Sequence, residues 1–381
     1  MKKYFNLKEV LKNKDFLYGT NECINCKKCV KICAFLQKYC NDPKEFLNSL
    51  DKNPNINYLI PFSCNLCSCC RRVCPKEIDL GQIFFAMRKE ISSVNNGKSP
   101  ITNHKIMHFH QKFSNTNIFK GIYGDKNSTI FFMPGCSLIG YSPDLVIKTY
   151  DYLKSKINNL GIILNCCNKP TKDLGEIHLF NKNFNKFLYD IKKYNNGNVE
   201  IITACQSCFK VLNEEQDSIK ITSLWEILKK VDLPKECINK GKDSSLIFSI
   251  KDSCQSLDYN EITDSIRYVI TRLGYKLSSE EVTNNCCGLG GLVHLVDKEL
   301  SSSIKNNSLS QLKSNNIVSY CGGCVNAINC SSKNSYHILD LVFKKETDLI
   351  NRKKLKISSL KSWKNRYNFK KQIYNKINKN L

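Results

Sequence analysis

The chain has 381 residues, a formal net charge of +24, 41% hydrophobic residues and 22 cysteines against 6 histidines. This length allows two or three domains with substantial cores, which excludes the small secreted class that depends on disulfides. The charged N-terminus lacks an apolar signal-peptide core, and no run approaches the ~18 apolar residues of a membrane span. We therefore expect a cytoplasmic protein whose reduced cysteines are metal ligands or catalytic groups.

Residues 1–95 carry ten cysteines in two clusters, and the helical apolar spacing of residues 79–92 predicts a mostly helical module. The clusters read Cys-x-x-Cys-x-x-Cys-x-x-x-Cys, and the second ends in Cys-Pro. Three thiolates spaced by three residues wrap one cubane cluster, while the fourth reaches across to the other. The spacing predicts two [4Fe-4S] clusters, one held by Cys23, Cys26, Cys29 and Cys74 and the other by Cys64, Cys67, Cys70 and Cys33. Paired zinc sites are disfavoured because they use two close cysteine pairs from separate knuckles.

Residues 96–127 contain no cysteine and are rich in Asn, Lys, Ser and His, which indicates a linker. His104, His108 and His110 lie here, and we expect them to pack or to be solvated rather than to bind metal. For Cys40 and Cys69, which fall outside the cluster spacing, we expect the role of small buried residues.

Beyond residue 128 the cysteine pattern occurs twice, at offsets of roughly 115–120 residues, which indicates a tandem duplication. The two sets are Cys136, Cys166, Cys167, Cys205 and Cys208, then Cys254, Cys286, Cys287, Cys321 and Cys324. Short β-rich runs alternate with helical patterns in each copy, which predicts parallel sheets. The expected strands are 128–133, 161–164, 199–203, 245–250 and 317–320, and the expected helices are 144–156, 224–231, 261–273 and 338–343. The cysteines then follow the carboxyl ends of strands, where such sheets bind ligands.

The repeated motif resembles the cysteine-rich CCG domain found in one of the subunits of heterodisulfide reductase. With the two-cluster module, the chain up to about residue 345 resembles the heterodisulfide reductase polypeptides that combine both domain types. It is similar as well to the C subunit of anaerobic glycerol-3-phosphate dehydrogenase and to the iron–sulfur subunits of glycolate and lactate oxidases. The resemblance implies a non-cubane [4Fe-4S] cluster in one or both copies, with zinc or no metal as alternatives for copy 1.

The resemblance also implies that the second five-cysteine set is the catalytic centre if the protein reduces disulfides. Copy 1 departs from the pattern because Asn168 replaces the glycine, although Asn tolerates a left-handed backbone.

The predicted fold class is α+β multidomain, with a helical two-[4Fe-4S] ferredoxin module followed by two tandem α/β CCG domains. The expected limits are 1–95, a linker at 96–127, copies at 128–242 and 243–345, and a tail at 346–381. The predicted function is an iron–sulfur electron-transfer subunit of an anaerobic oxidoreductase complex, which reduces a disulfide or relays electrons to a partner. Alternatives are a relay subunit of a quinone-linked dehydrogenase and a non-redox zinc and cluster scaffold.

No G-x-G-x-x-G fingerprint occurs at a strand-to-helix turn, so a flavoprotein or a membrane cytochrome that reduces quinone is the expected partner.

Residues 344–381 carry a net charge of +11, and their apolar residues recur at helical spacing. The stripe consists of Leu360, Trp363, Tyr367, Tyr374, Ile377 and Leu381. The tail is predicted to be either a disordered, solvated segment or a basic amphipathic helix that docks on the inner face of a membrane or on an acidic partner. Nucleic acid is not expected as a partner, because no base-reading motif is present.

Overall fold

The computed structural model describes residues 3–279, 286–351 and 357–378. These residues form two compact units, each assembled from separate stretches of chain. The first unit consists of residues 3–111, 168–182 and 286–310. The second unit consists of residues 112–167, 183–279, 311–351 and 357–378. Among the described helices, none is long and apolar enough to cross a bilayer.

Twenty α-helices and eleven strands are defined in the described residues, and the segment predicted as a linker contains a helix and a short strand. The helices are α1 Lys14–Glu22, α2 Lys28–Lys31, α3 Ala34–Tyr39, α4 Pro43–Lys52, α5 Leu59–Phe62, α6 Cys69–Val73, α7 Leu80–Val94, α8 Lys105–Ser114, α9 Cys136–Tyr141, α10 Pro143–Lys156, α11 Lys169–Asp173, α12 Ile177–Ile191, α13 Gln206–Glu215, α14 Leu224–Val231, α15 Asn260–Leu273, α16 Lys298–Ser310, α17 Gly322–Asn329, α18 Ile338–Phe343, α19 Glu346–Ile350 and α20 Ser359–Asn378. The strands are β1 Tyr4–Asn6, β2 Asn55–Asn57, β3 Ile122–Tyr123, β4 Ile130–Met133, β5 Leu160–Ile163, β6 Glu200–Thr203, β7 Lys220–Ser223, β8 Ile247–Ile250, β9 Lys276–Leu277, β10 Asn316–Ser319 and β11 Asn334–His337. The strands and helices predicted from periodicity are therefore confirmed within a few residues at each end.

The first unit is mostly helical around an apolar core, with one small antiparallel pair, β1 and β2. Its central helix is α7. The N-cap residue of this helix is Asp79, whose carboxylate accepts a hydrogen bond from the Gln82 amide. The stripe predicted from residues 79–92 is buried, and Ile83, Met87 and Ile91 have no exposed surface. This stripe holds α7 in the middle of the unit.

The second unit contains two sheets with the same strand order. In the first sheet the order is β3-β5-β4-β6-β7, and all pairs except β3 with β5 are parallel. In the second sheet the order is β11-β10-β8-β9, again with parallel pairs. When the four parallel strands of each sheet are numbered along the chain, both sheets have the order 2-1-3-4. The parallel α/β sheets expected from the alternating pattern are confirmed.

The fourth strand of each sheet leads into a helix with the same kind of N-terminal cap. Ser223 and Glu226 form a capping box at α14, and His337 and Asp340 form one at α18. Each box satisfies two backbone amides that the first turn of a helix leaves open. Apolar periodicity predicts the two helices but not the strands that precede them, because these strands contain few apolar residues.

Helix α20 forms the C-terminal part of the second unit and packs against α9 and α10. It buries Phe369, Ile373 and Ile377, which belong to the core of this unit. The predicted apolar face is wrong for Leu360, Tyr367 and Tyr374, which are 81%, 40% and 49% exposed. The buried stripe of α20 is offset from the predicted stripe by about one residue, or ~100° around the helix axis. It includes an arginine, which a pattern of apolar residues leaves out. Leu381, the last residue of the predicted stripe, lies outside the described residues.

The arginine on this stripe is Arg366, which is 5% exposed. Its guanidinium lies over the rings of Trp363 at 4.4 Å and Phe119 at 5.4 Å, and it donates to the Ser114 hydroxyl at 3.2 Å. Stacking on two rings compensates part of the cost of burying the charge. The basic helix is thereby fixed to the second unit.

Replacing Phe369 by alanine should lower the free energy of unfolding of the second unit by about 3–5 kcal/mol, because a fully buried ring is lost. Both tryptophans, Trp225 and Trp363, lie in this unit, so denaturant unfolding followed by their fluorescence reports on it. Leu360→Ala is the matched control and should change stability by less than about 0.5 kcal/mol, because Leu360 is exposed. Equal effects of the two substitutions would contradict the packing of α20.

Candidate metal centres

The structure brings the cysteines of the first unit together as two sets of four. Three consecutive cysteines of the first cluster and the last cysteine of the second line one cavity, namely Cys23, Cys26, Cys29 and Cys74. The complementary set, namely Cys64, Cys67, Cys70 and Cys33, lines another cavity, which is also lined by Cys69 and Cys286. Four thiols around a shared cavity are what a cubane requires, since each of its four irons takes one ligand. The thiols of each set line a cavity without converging on one point: among the described residues, no group of three or more His, Cys, Asp or Glu side chains could hold a single metal ion.

The two Cys-x-x-Cys-x-x-Cys loops have matching backbone conformations. Asn25 and Lys27 in the first loop have φ values of 53° and 57°, and Leu66 and Ser68 in the second have 51° and 54°. These pairs stand at the same two positions relative to the first cysteine. A left-handed conformation costs a non-glycine residue about 1–2 kcal/mol, so its repetition in both loops indicates a conformation kept for ligand binding.

Burial disfavours the charged form of two of these thiols, Cys29 and Cys33, when the protein alone surrounds them. It raises the pKa of Cys29 to about 11 and that of Cys33 to about 12. A cation that compensates their charge would favour the thiolate forms of these two residues at neutral pH. Iron binding supplies such compensation, so the donor set fits an iron–sulfur cluster.

Cys286, predicted as a ligand in copy 2, lies in the first unit and lines the same cavity as Cys67. Its thiol hydrogen-bonds to Cys67 and holds the pKa of Cys67 well below the ordinary value. The neighbouring Gly288 has a φ of 83°, and a side chain there would come within 2.4 Å of the Ser301 carbonyl oxygen. Glycine is therefore required immediately after the Cys286-Cys287 pair, as the motif predicts.

Arg88 is a buried charged residue near this cavity that the sequence patterns do not single out. Its guanidinium has no exposed surface and donates to four carbonyl oxygens, all at 2.5–3.0 Å. The acceptors belong to Pro61, Cys64, Asp173 and Gly291. Burial lowers the pKa of Arg88 to about 10, so the group remains charged at neutral pH. The one signal in the sequence is that Arg88 occupies a position on the apolar stripe of α7.

The loops after both double-cysteine motifs contribute to this arrangement. Asp173 follows Cys166-Cys167 in the chain, and Gly291 follows Cys286-Cys287. Gly175 has a φ of 74°, and a Cβ there would lie 2.5 Å from the Arg88 carbonyl. Arg88 thus joins the cavity lined by the Cys64 set, called here the second cubane cavity, to both loops through neutral acceptors.

The five cysteines of copy 1 all lie in the second unit and form two contacting groups. Cys136 is in hydrogen-bond contact with Cys166, and Cys208 is in contact with both Cys167 and Cys205. Gly135 has a φ of 80°, and a Cβ there would lie 2.5 Å from the Cys205 Cβ. The close approach shows that glycine is needed for the loop after β4 to pass Cys205.

The Cys-x-x-Cys pairs of both copies begin helices in the same way. Cys205 is the N-cap of α13 and Cys321 is the N-cap of α17, so Cys208 and Cys324 lie in the first turn of those helices. A hydrogen bond from Cys208, with help from backbone amides, lowers the pKa of Cys205. Helix N-termini favour thiolates, which are the form that binds metal.

Copy 2 differs from copy 1 in how its cysteines are distributed. Cys254, Cys321 and Cys324 belong to the second unit, while Cys286 and Cys287 belong to the first. In copy 1, the predicted left-handed tolerance of Asn168 is confirmed, since its φ is 58°. Asn168 and Gly288 thus both adopt positive φ after a double cysteine.

The remaining candidates have structural roles. Cys40 and Cys69 are 3% and 5% exposed, which confirms the expected burial. His104 is fully buried with its Nδ1 2.7 Å from the Ser99 hydroxyl, and His108 Nε2 lies 2.6 Å from the Glu176 carboxylate. Burial lowers the pKa of His104 to about 3, so it is neutral at physiological pH. These two histidines therefore pack as expected.

Comparison with known proteins identifies two domain types in the chain. The 4Fe-4S dicluster domain family matches residues 22–79, and the CCG cysteine-rich domain family matches residues 249–329. An uncharacterised iron–sulfur protein of Methanococcus maripaludis is 21% identical over 363 residues, which cover 84% of this chain and 68% of that protein. The resemblance drawn from the cysteine motifs is confirmed at this level, and the chain is an iron–sulfur protein of mixed α/β fold.

Replacing Cys74 by alanine should remove one cluster, because Cys74 supplies the fourth thiol of the cavity around Cys23, Cys26 and Cys29. The iron content of anaerobically reconstituted protein should fall by about four atoms per chain. Cys40→Ala is the control, since Cys40 is buried outside both sets of four, and it should keep its iron. If Cys74→Ala also keeps all its iron, Cys74 is not a cluster ligand.

Replacing Arg88 by methionine should lower the reduction potential of the cluster held by the Cys64 set, because a buried positive charge stabilises the reduced form. The expected scale is about 60 mV, a tenfold change in a one-electron equilibrium. Arg88→Lys keeps the charge but loses most of the hydrogen bonds, so it should lower thermal stability with a smaller change in potential. Redox titration monitored by electron paramagnetic resonance separates these effects, and identical potentials in all three proteins would contradict the electrostatic role.

Proposed function

We propose that this protein is an electron-transfer subunit that passes electrons between two ferredoxin-type cubanes and a duplicated CCG domain, where a disulfide is reduced. The observation that carries the proposal is the contact between Cys67 and Cys286 in the cavity of the second cubane set. A ligand of the dicluster domain and a cysteine of the CCG motif meet there, which provides a short path for an electron.

The duplication is supported by the two sheets of the second unit. Both have the strand order 2-1-3-4, and in both a Cys-x-x-Cys pair begins at the N-cap of the helix that follows the third strand. The fourth strands end in capping boxes at corresponding positions. The CCG family match at residues 249–329 supports the assignment of the second copy, and the likeness of the two sheets favours the same assignment for residues 128–242.

The donor sets support further clusters in the CCG copies. Five thiols in each copy exceed the four ligands of a single tetrahedral metal ion, and soft thiolates favour iron–sulfur chemistry. We assign a non-cubane [4Fe-4S] cluster to copy 2, and a second cluster or zinc to copy 1. When bound, such clusters supply single electrons at positions set by the protein.

The chain's own residues set the conditions for transfer. Arg88 supplies a fixed positive charge at the carbonyl of Cys64, which favours electron arrival at the second cubane cavity. Asp252, fully buried, accepts hydrogen bonds from Arg267 at 2.5–2.6 Å and from the Tyr320 hydroxyl at 3.0 Å. Tyr320 immediately precedes Cys321, so this network fixes the start of the second Cys-x-x-Cys pair.

Reduction of a disulfide needs two electrons and two protons and yields two thiols. The physiological donor in this proposal is a flavoprotein or a membrane cytochrome, which exchanges electrons with the cubanes. Both five-cysteine sets take part in the proposal, with Cys254, Cys286, Cys287, Cys321 and Cys324 as the catalytic centre.

The test is the oxidation of reduced methyl viologen by cystine, catalysed by the anaerobically reconstituted full chain. The wild type should contain about 16 iron atoms for four clusters and should oxidise viologen only when cystine is present. Cys286→Ala should lower this rate more than tenfold while leaving the ferredoxin-type paramagnetic signals intact, and Cys40→Ala should leave the rate unchanged.

Three outcomes would overturn parts of the proposal. A wild type that carries its iron and exchanges electrons with viologen, yet does not reduce cystine, would favour a relay subunit over a disulfide reductase. An unchanged rate in Cys286→Ala would remove that residue from the electron path. A chain that binds zinc in place of iron would favour a scaffold.

A further inference from the structure

A cleft of about 590 Å³ opens on the second unit, outside every predicted metal centre. Its lining includes four lysines and two tyrosines, namely Lys120, Lys126, Lys193, Lys370, Tyr123 and Tyr194. The lysines come from three stretches of the chain, one of which is the tail helix α20. The volume is in the range of small-molecule sites, which are usually about 300–1,000 Å³.

The charge of the cleft is strongly positive. The carboxylate in its lining, Asp190, is already paired with Lys193 at 3.2 Å and with Lys186 at 3.5 Å. Burial and the nearby charge of Lys120 lower the pKa of Lys370, whose ammonium also donates to the Asn117 carbonyl. The fold thus holds two ammonium groups close together, an arrangement that a bound anion would stabilise.

The floor of the cleft is fixed by hydrogen bonds. The Tyr194 hydroxyl donates to the Ile122 carbonyl at 3.0 Å, and the Gly121 amide donates to the Asn165 side chain at 3.1 Å. Asn165 is 7% exposed and immediately precedes the Cys166-Cys167 pair. The Tyr123 ring packs edge-on against Tyr374 of α20, with ring centroids 5.8 Å apart. A fixed floor beneath long lysine side chains is suited to a ligand that is held by charge.

We propose that this cleft binds a phosphate-bearing small molecule, with Lys120, Lys126 and Lys370 holding the phosphate group. Lysine ammonium groups act as compact point charges, which suits a phosphate with several charged oxygens. The half-buried rings of Tyr123 and Tyr194 offer an apolar wall to the rest of the ligand. This assignment gives the basic helix α20 a role as one wall of the cleft.

The test is calorimetric titration of the full chain with pyrophosphate at fixed 0.1 M sodium chloride. The wild type should show saturable binding, and Lys120→Gln combined with Lys370→Gln should weaken it about tenfold or more. The control is Lys229→Gln combined with Lys230→Gln, which removes the same charge from exposed positions on α14 and should change the affinity less than twofold. Equal weakening by the two pairs would overturn the site in favour of general charge attraction.

Two further measurements keep the proposal falsifiable. Lys126 is exposed, so Lys126→Gln should leave the tryptophan unfolding curve unchanged and still weaken pyrophosphate binding several-fold. Unchanged affinity in this variant would overturn the role of Lys126 as a ligand. Vesicles containing phosphatidic acid distinguish a lipid headgroup from a soluble phosphate: binding to vesicles that pyrophosphate does not displace would overturn the assignment to a small molecule.

Discussion

The buried guanidinium of Arg88 is the interaction on which the arrangement of the first unit depends. A charge without exposed surface is tolerated only when hydrogen bonds replace the lost water, and Arg88 makes these bonds to four carbonyl oxygens. Its side chain also lies over the Phe62 ring at 5.1 Å. Because the acceptors are neutral, the positive charge remains available to compensate thiolates around the second cubane cavity. One side chain thus links the position of two loops to the electrostatics of the site.

Backbone conformation imposes a second constraint, which acts where cysteines must surround a ligand. The two loops of the dicluster domain adopt positive φ at equivalent positions, including at Leu66, a residue with no intrinsic preference for it. Asn168 and Gly288 do the same after the double cysteines. In both cases the chain turns sharply so that several thiols face one volume. Ligand binding is the physical reason to retain conformations that cost energy in the protein alone.

The second unit combines cysteines positioned by its two sheets with a lysine-rich cleft that α20 helps to form. Its parallel sheets place cysteines at strand ends and at helix N-termini, where backbone amides favour thiolates. The tail helix α20 completes the core of the same unit through Phe369 and Ile373. Its basic face then forms part of the lysine-rich cleft. Two of the positive charges of the C-terminal segment thus have defined places, Arg366 in the core of the unit and Lys370 in the lining of the cleft.

Local patterns in the sequence are sufficient to predict the two domain types and most strands and helices. These features depend on local spacing: three thiols separated by three residues, apolar residues in steps of three or four, and short β-branched runs. Asn168 could be assigned a left-handed conformation for the same reason, since that preference belongs to the residue type.

Which distant groups meet depends on the tertiary fold. The sequence places Arg88 on an apolar stripe but cannot show that carbonyls from three other stretches of chain converge on it. Likewise, it places Cys286 in a CCG motif, and folding brings it to Cys67 in a different domain type. The buried face of α20 was missed because Arg366 is polar as a residue type and becomes a core residue only when Trp363 and Phe119 cover it. Contacts between residues far apart in the chain depend on packing, which local periodicity does not encode.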